Sequence, residues 1–472
     1  MSKQKNKFFL ISFSIFFLLI ILLFFIFHQR DSKIFSPGRE RSNIFFILID
    51  TLRPDHLGCY GYLRNTSPHM DRIAEQGTVF TDFYTVCPWT NPSVATLFTG
   101  RYPLAVFPPA KHPEAIKQRL PKELDTLAEI LKREGYQTFA LVDHPSISKQ
   151  LDYHRGFDQY TELFFKRGWH QWLGTESQNI LKDLSELLDK CQHSQFFIYL
   201  HLIYPHQPYS PPSPYDELFG EGFENVSPEE KEGVINRYDG EIKYTDELIG
   251  NIFVDLKARN LLSRTYIIMT SDHGEGFWEH GLWEHGNSLF NELLKVPLII
   301  YPPGGRSGEP ARIDGLTSFI SLFPTILDFA SIKDYPKGDG RSLTRELKGK
   351  NQRESQEIIY SQSPHSLCIN AVSCQTDQFK FIYHPRLPIT NFTRSKNDIL
   401  SGKFVELFDI NEDPGEENNL STHKKHLVKK MGIRLIRHKM KSDKKRVKLE
   451  QQKEQPQKKD YIEKLKSLGY IK

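Results

Sequence analysis

The run Thr90-Asn-Pro-Ser-Val-Ala-Thr-Leu-Phe-Thr-Gly-Arg101 puts a hydroxyl where a helix is predicted to begin. Pro92 suits a first helical turn, and Ala95 to Phe98 continue it as an apolar face. A helix start carries free N–H groups and partial positive charge, which favour an anionic ester and a developing alkoxide. Taken alone, such a threonine is an ordinary N-cap. Two other segments change its meaning: Ile47-Leu-Ile-Asp50 and Met269-Thr-Ser-Asp272-His273-Gly-Glu275. Each is an apolar, strand-like run that ends in metal-ligand residue types, although either alone reads equally well as a turn. In open α/β sheets, ligands sit beyond the carboxyl ends of strands, so Asp50, Asp272 and His273 can converge there with Thr90. Two carboxylates, an imidazole and an alkoxide suit one divalent ion, Mn²⁺, Mg²⁺ or Ca²⁺, and Zn²⁺ also fits. The chemistry needs the ion because a threonine hydroxyl is a poor nucleophile at its free pKa. Coordination lowers that pKa and holds the oxygen in line with an ester.

The elements that must position these residues follow from periodicity. Asn43 to Asp50 is predicted as a buried strand. Leu120 to Gly135 is predicted as a helix, with Leu124, Leu127, Ala128 and Leu131 on one face, and Thr138 to Val142 as the next strand. Helix followed by strand at this spacing implies βαβ winding and a mainly parallel central sheet flanked by helices. Phe196 to Ile203, Thr265 to Thr270 and Val296 to Tyr301 add strands, and Arg237 to Leu256 adds a helix. The pattern weakens around Tyr335 to Arg353, where a subdomain boundary is placed. Ile358 to Phe408 then reads as a small antiparallel sheet. The Lys-rich stretch from His423 onward reads as a partly helical, solvated tail whose last residues, Leu465 to Ile471, dock back on the body.

The chain has 472 residues, 39% hydrophobic and 25% charged, which is globular composition. Its net charge of +4 comes largely from the tail, so no nucleic-acid partner is expected. Phe8 to Phe27 is uncharged and long enough to cross a bilayer, and Lys3, Lys5 and Lys7 precede it. The expectation is an uncleaved, single-pass anchor with a cytoplasmic N-terminus and a periplasmic or extracellular catalytic domain. His28 to Lys33 offers no small-x-small cleavage site. The resulting organisation is residues 1–7 cytoplasmic, 8–27 transmembrane, 28–42 linker, 43–335 catalytic domain, 336–422 C-terminal subdomain and 423–472 tail. The five cysteines show no metal-type spacing. Cys368 and Cys374 are the nearest pair, and unpaired buried thiols are an equal reading.

Read together, these segments resemble the sulfatase-like branch of the alkaline phosphatase superfamily. The similar stretches are Ile47 to Gly58, Trp89 to Pro103, Pro205-His-Gln-Pro-Tyr-Ser-Pro211, Thr270 to Glu275, His285-Gly-Asn-Ser-Leu-Phe290, Lys295-Val-Pro-Leu298 and Glu406 to Leu420. They run in the family's order over about 380 residues. The resemblance implies an alkaline-phosphatase-like α/β fold, metal ligands at Asp50, Asp272 and His273, and the nucleophile at Thr90. It also implies that His206 and His285 bind the ester or protonate its leaving oxygen.

The departures are informative. Sulfatases of this family resemble one another in a Cys-or-Ser-x-Pro-x-Arg core whose first residue becomes formylglycine. Thr90-Asn-Pro92-Ser-Val94 stands there instead, so the aldehyde precursor and the arginine are both absent. The family's Lys-x-His is replaced by Leu141-Val-Asp-His-Pro145, and its later lysine falls at His285-Gly286. The two-zinc relatives' Asp-x-x-x-His is absent from Asp239-Gly-Glu-Ile-Lys243, which implies one ion. A threonine alkoxide on a metal resembles the phosphodiesterase, phosphonate-ester hydrolase and phospho-headgroup transferase relatives, because phosphoryl transfer depends on positioning and charge neutralisation. The expectation is therefore a membrane-anchored, metal-dependent ester hydrolase that favours a phosphoester. The alternatives are a true sulfuric ester hydrolase, a transferase to lipid headgroups or envelope glycans, and an inactive envelope-binding homologue.

Overall fold

The computed structural model describes residues 41–108, 118–164, 176–308, 310–349, 358–364, 371–385 and 392–467, with side chains for all of these except 392–395 and 452–467. The expected anchor at 8–27 lies outside these residues, as do Cys368 and the side chains of Leu465 to Ile471. Among the described residues no helix is long and apolar enough to cross a membrane.

The strands and helices that build the site, in chain order, begin with β1 (Asn43–Ile49), α1 (Pro68–Glu75), β2 (Thr78–Phe80), α2 (Thr90–Thr99), α3 (Leu127–Arg133), β3 (Gln137–Val142) and β4 (Gln159–Glu162). They continue with α4 (Ser177–Cys191), β5 (Phe196–Leu202), α5 (Lys231–Ala258), β6 (Thr265–Thr270), β7 (Leu298–Tyr301) and β8 (Ala311–Ile313). Eight of these strands form one sheet in the order β8-β2-β7-β6-β1-β5-β3-β4. β1 lies parallel between β5 and β6, and every residue of the three strands is buried. That explains their nearly unbroken apolar runs, because a strand covered on both faces has no solvent side. Alternate β1 residues serve two cores. Ile44, Phe46 and Leu48 pack with Val94, Leu97 and Phe98 of α2, while Phe45, Ile47 and Ile49 pack with Ile180 and Leu184 of α4 and Ile242 of α5.

The sheet is mainly parallel, as expected, and mixed in that β7 runs antiparallel to both β6 and β2. One expectation needs correction. The predicted helix over Leu120 to Gly135 starts only at Leu127. Thr126 Oγ1 accepts from the Glu129 amide at 3.1 Å, and Glu129 Oε2 accepts from the Thr126 amide at 2.7 Å. This reciprocal capping fixes the helix start, seven residues later than apolar periodicity suggested.

Beyond the large sheet, β9 (Ile359–Gln362), β10 (Val372–Gln375), β11 (Phe379–Tyr383) and β12 (Val405–Asp409) form a four-stranded antiparallel sheet in sequential order. Helix α6 (Lys425–Ser467) lies against it. Its Val428, Met431, Leu435 and Ile436 are buried with Phe381 and Leu407, so the first part of the Lys-rich tail is packed and not solvated. His438 on this helix stacks on Tyr360, with ring centroids 3.7 Å apart. Among the described residues no disulfide joins Cys59, Cys87, Cys191 or Cys374.

Candidate active site

Asp50 is delivered by the end of β1, where its amide still bonds Leu202 O of β5 at 2.9 Å. The chain then turns sharply. Thr51 adopts φ 55°, a left-handed conformation that a β-branched residue rarely takes. Tyr238 of α5 holds the turn: its hydroxyl donates to Thr51 O at 2.8 Å and accepts from the Arg53 amide at 3.0 Å. Strain of this kind persists only where surrounding contacts over-determine it, as at functional sites.

Asp272 and His273 follow β6 directly, and Thr90 is the first residue of α2. Thr90 Oγ1 lies 3.1 Å from His273 Nε2. His273 Nε2 lies 3.5 Å from Asp50 Oδ1 and 3.4 Å from Asp272 Oδ2. The four residues expected to share an ion are thus brought to one point, all of them buried. The His273 tautomer suits that role. Its Nδ1 lies 2.9 Å from Gly274 O, which can only accept, so Nδ1 carries a proton and Nε2 presents a lone pair.

Whether these residues fit a cation can be tested on the carboxylates themselves. Asp50 Oδ1, Asp272 Oδ1 and Asp272 Oδ2 are buried and accept no hydrogen bond from any described residue. Burial, and then repulsion from Asp272, push the Asp50 carboxyl well above its ordinary range. Crowded, solvent-free carboxylates without donors are costly unless a positive ion meets them. Asp50 and Asp272 lie close enough to His201 for the three to hold a metal by distance alone, while His273 Nε2 lies 3.5 Å from Asp50 Oδ1 and 3.4 Å from Asp272 Oδ2. A second acidic cluster, His69, Asp246 and Glu247, is already satisfied. Lys243 Nζ sits 2.5 Å from Glu247, and Asp246 accepts from two amides at the start of α1.

His206 and His285 are also brought to the site. The His285 ring centre lies 4.4 Å from that of His273 and 4.9 Å from that of His206. His285 Nδ1 bonds Glu275 Oε1 at 2.9 Å, and Tyr209 donates its hydroxyl to Glu275 Oε2 at 2.9 Å. His206 Nδ1 donates to Gln207 O at 2.6 Å. His206 therefore keeps Nε2 as a proton acceptor, and His285 does so while Glu275 is ionised. Burial pushes each down to about 4, and pushes Glu275 up to about 7. Trp89 packs on His285 at a centroid distance of 5.2 Å, and a Cβ on Gly286 would come within 2.6 Å of that indole, so glycine is required there. Arg53 closes the back of this wall by donating to Glu275 O at 2.9 Å.

Sequence reasoning missed three residues. Glu275 was visible in its motif but had no assigned partner. His201 lies inside β5, with Nε2 3.2 Å from Asp50 Oδ2, and His144 follows β3, with Nε2 3.6 Å from the same oxygen. The available signal was Tyr199-Leu-His201, two polar rings on one face of an otherwise apolar buried strand.

The sulfatase family's sequence profile matches residues 42–332. The chain belongs to the sulfatase family. It is an ester hydrolase of that family, and a curated relative, the Delta 4,5-hexuronate-2-O-sulfatase of Bacteroides thetaiotaomicron, is 23% identical over 435 residues, covering 83% of this chain and 87% of that protein. The solved structure of a 2-O GAG sulfatase superimposes with TM-score 0.69 at 20% identity over 85% of this chain and 93% of the other. The phosphonate monoester hydrolase of Agrobacterium radiobacter superimposes with TM-score 0.65 at 19% identity over 87% and 96% of the two chains. These likenesses establish the alkaline-phosphatase-like sulfatase fold, with Asp50, Thr90, Asp272 and His273 at the carboxyl end of its sheet.

Proposed function

We propose that this sulfatase-family chain hydrolyses a sulfate ester on an anionic glycan, with Thr90 as nucleophile and one divalent cation held by Asp50, Asp272 and His273. The observation that carries the reading is the meeting of Thr90 Oγ1 with His273 Nε2 beside carboxylate oxygens that have no hydrogen-bond donor among the described residues. Family membership and a relative named for hexuronate 2-O-sulfate chemistry support sulfur as the electrophile and a uronate-bearing carrier. They weigh against the phosphoester preference drawn from the threonine alone.

A bound cation would neutralise charge and lower the proton affinity of the threonine oxygen. Thr90 Oγ1 passes its proton to an imidazole Nε2 of the pocket, His285 or His206, as it bonds sulfur, and the bond from sulfur to the sugar oxygen breaks. Glu275, when ionised, accepts a hydrogen bond from His285 Nδ1–H, so that Nε2 faces the reacting atoms as an acceptor. The negative charge of a bound ester opposes the downward shift at His285 and His206 and raises both. One of them then carries a proton to the departing oxygen. Water attacks the sulfur of the Thr90 sulfate ester, the bond from sulfur to Thr90 Oγ1 breaks, a water proton restores the Thr90 hydroxyl, and sulfate leaves.

A phosphoester reading has one observation in its favour. Thr90, Val94 and His285 stand where formylglycine, arginine and lysine would serve sulfate chemistry. Incubation with sulfated uronate oligosaccharides and with sulfate and phosphate aryl esters, under Mn²⁺, Mg²⁺, Ca²⁺ and Zn²⁺ in turn, separates the two. Sulfate release is expected, and phosphoester turnover without sulfate turnover would reverse the assignment. Residues 8–27 hold the domain at a membrane in this reading. A chain beginning at Asp31 is expected to be soluble and active, and its retention on membranes would contradict that anchor.

A further inference from the structure

Asp50 has two distinct oxygens. Oδ1 faces His273 at 3.5 Å and accepts no hydrogen bond. Oδ2 faces His201 Nε2 at 3.2 Å and His144 Nε2 at 3.6 Å. Both imidazoles could in principle ligate an ion, and the far nitrogen of each decides whether they do. The Ser146 amide donates to His144 Nδ1 at 3.1 Å. A nitrogen that accepts carries no proton, so neutral His144 holds its proton on Nε2, pointed at Asp50. His201 Nδ1 lies 2.9 Å from the Tyr199 hydroxyl, which has no other hydrogen-bond partner among the described residues. Tyr199 is fully buried, and its proton finds an acceptor only if His201 Nδ1 is bare. The His201 proton then also sits on Nε2.

We infer that His201, supported at longer range by His144, acts as a proton-donating clamp on Asp50 Oδ2 and leaves Oδ1 as the single oxygen of that carboxylate free for a cation. These are positioning residues and not ligands. The inference rests on Asp50 being a ligand, the reading proposed above. The contrast with His273 supports it. His273 has a carbonyl at Nδ1 and so presents a lone pair, whereas His201 and His144 have donors at Nδ1 and so present protons. Carboxylate ligands are held by such outer partners, whose loss costs roughly 10–100-fold in metal affinity.

The test titrates Mn²⁺ into chelator-stripped full-length protein by calorimetry. It compares the natural chain with Asp50→Asn, His201→Leu, His201→Gln and Tyr199→Phe, and follows the unfolding of each apo form. His201→Leu is expected to weaken Mn²⁺ binding about 10–100-fold. His201→Gln, whose amide N–H reaches the same oxygen, is expected to restore most of that loss. Tyr199→Phe frees the tautomer and is expected to lose less than His201→Leu. Pulsed electron paramagnetic resonance of Mn²⁺ in the natural chain is expected to count one coordinated imidazole nitrogen. It needs no variant to fold. Two coordinated imidazoles, or equal losses in His201→Leu and His201→Gln, would overturn the clamp and make His201 a ligand. Undiminished binding by His201→Leu would also overturn it. Undiminished binding by Asp50→Asn would instead overturn the underlying ligand assignment, so the two failures are distinguishable.

Discussion

The two walls of the pocket carry the same side chain in opposite states. His273 and His285, after β6, have a carbonyl and a carboxylate at Nδ1 and so offer lone pairs to the reaction space. His144 and His201, at the ends of β3 and β5, have an amide and a hydroxyl at Nδ1 and so turn protons toward Asp50. Burial keeps His144, His201 and His285 from charging, lowering the last two to about 4. The role of a histidine here is thus set by what its far nitrogen meets. The lone-pair wall is built for a cation and a travelling proton. The proton-donor wall is built to hold a carboxylate still.

Each expected effect can break or sharpen that contrast. Thr90→Ala is expected to lower kcat at least about a thousandfold while metal content by mass spectrometry stays near that of the natural chain. Comparable turnover would remove the threonine from the lone-pair wall. Chelation is expected to abolish ester hydrolysis and to lower Tm, because an ion at 100 to 1,000 times its Kd stabilises by about 3–4 kcal/mol. An unchanged melting curve after complete stripping would deny that the orphaned carboxylates await a cation. His285→Gln is expected to reduce kcat about 10²–10³-fold, with a smaller loss on aryl esters, whose leaving groups need less protonation. Equal losses on alkyl and aryl esters would remove His285 from proton transfer. Glu275→Gln, which weakens the hold on His285 Nδ1, is expected to cost about tenfold in kcat with little change in KM.

The smallest effect lies outside the pocket. His438 on α6 has Gln362 Nε2 at 2.7 Å from its own Nε2, and burial pushes it down to about 3. Its folded pKa is depressed below the unfolded value of about 6.5. The unfolded chain therefore binds the proton first, and this contribution to stability, complete above about pH 6.5, is lost as pH falls toward 3. Melting temperatures at pH 7.5 and 5 are expected to differ by a few degrees less in His438→Phe. An identical pH dependence would show that the helix docks without reference to this imidazole.

The backbone was more legible than the proton positions. β1 and β6 were readable because strands buried on both faces must be apolar throughout, and their ends delivered Asp50, Asp272 and His273. Thr90 was readable because Pro92 marks a first helical turn. The start of α3 was missed because the Thr126 and Glu129 box overrides the apolar period of the preceding residues. The antiparallel β7 was missed because an apolar run carries no direction. The packing of α6 was masked by its lysines, whose charges cover a short apolar face at Val428, Met431 and Leu435. His201 and His144 were invisible as partners of Asp50, because their meeting depends on the sheet order β1-β5-β3, which no local pattern encodes.

The most direct test is acid quenching during turnover of a sulfated uronate oligosaccharide, followed by high-resolution mass spectrometry of the peptide that contains Thr90. A sulfo group on Thr90, absent in Thr90→Ala, is the expected result. Turnover with Thr90 unmodified, or with the transferred group on another residue, would contradict nucleophilic attack by the threonine at the cation site.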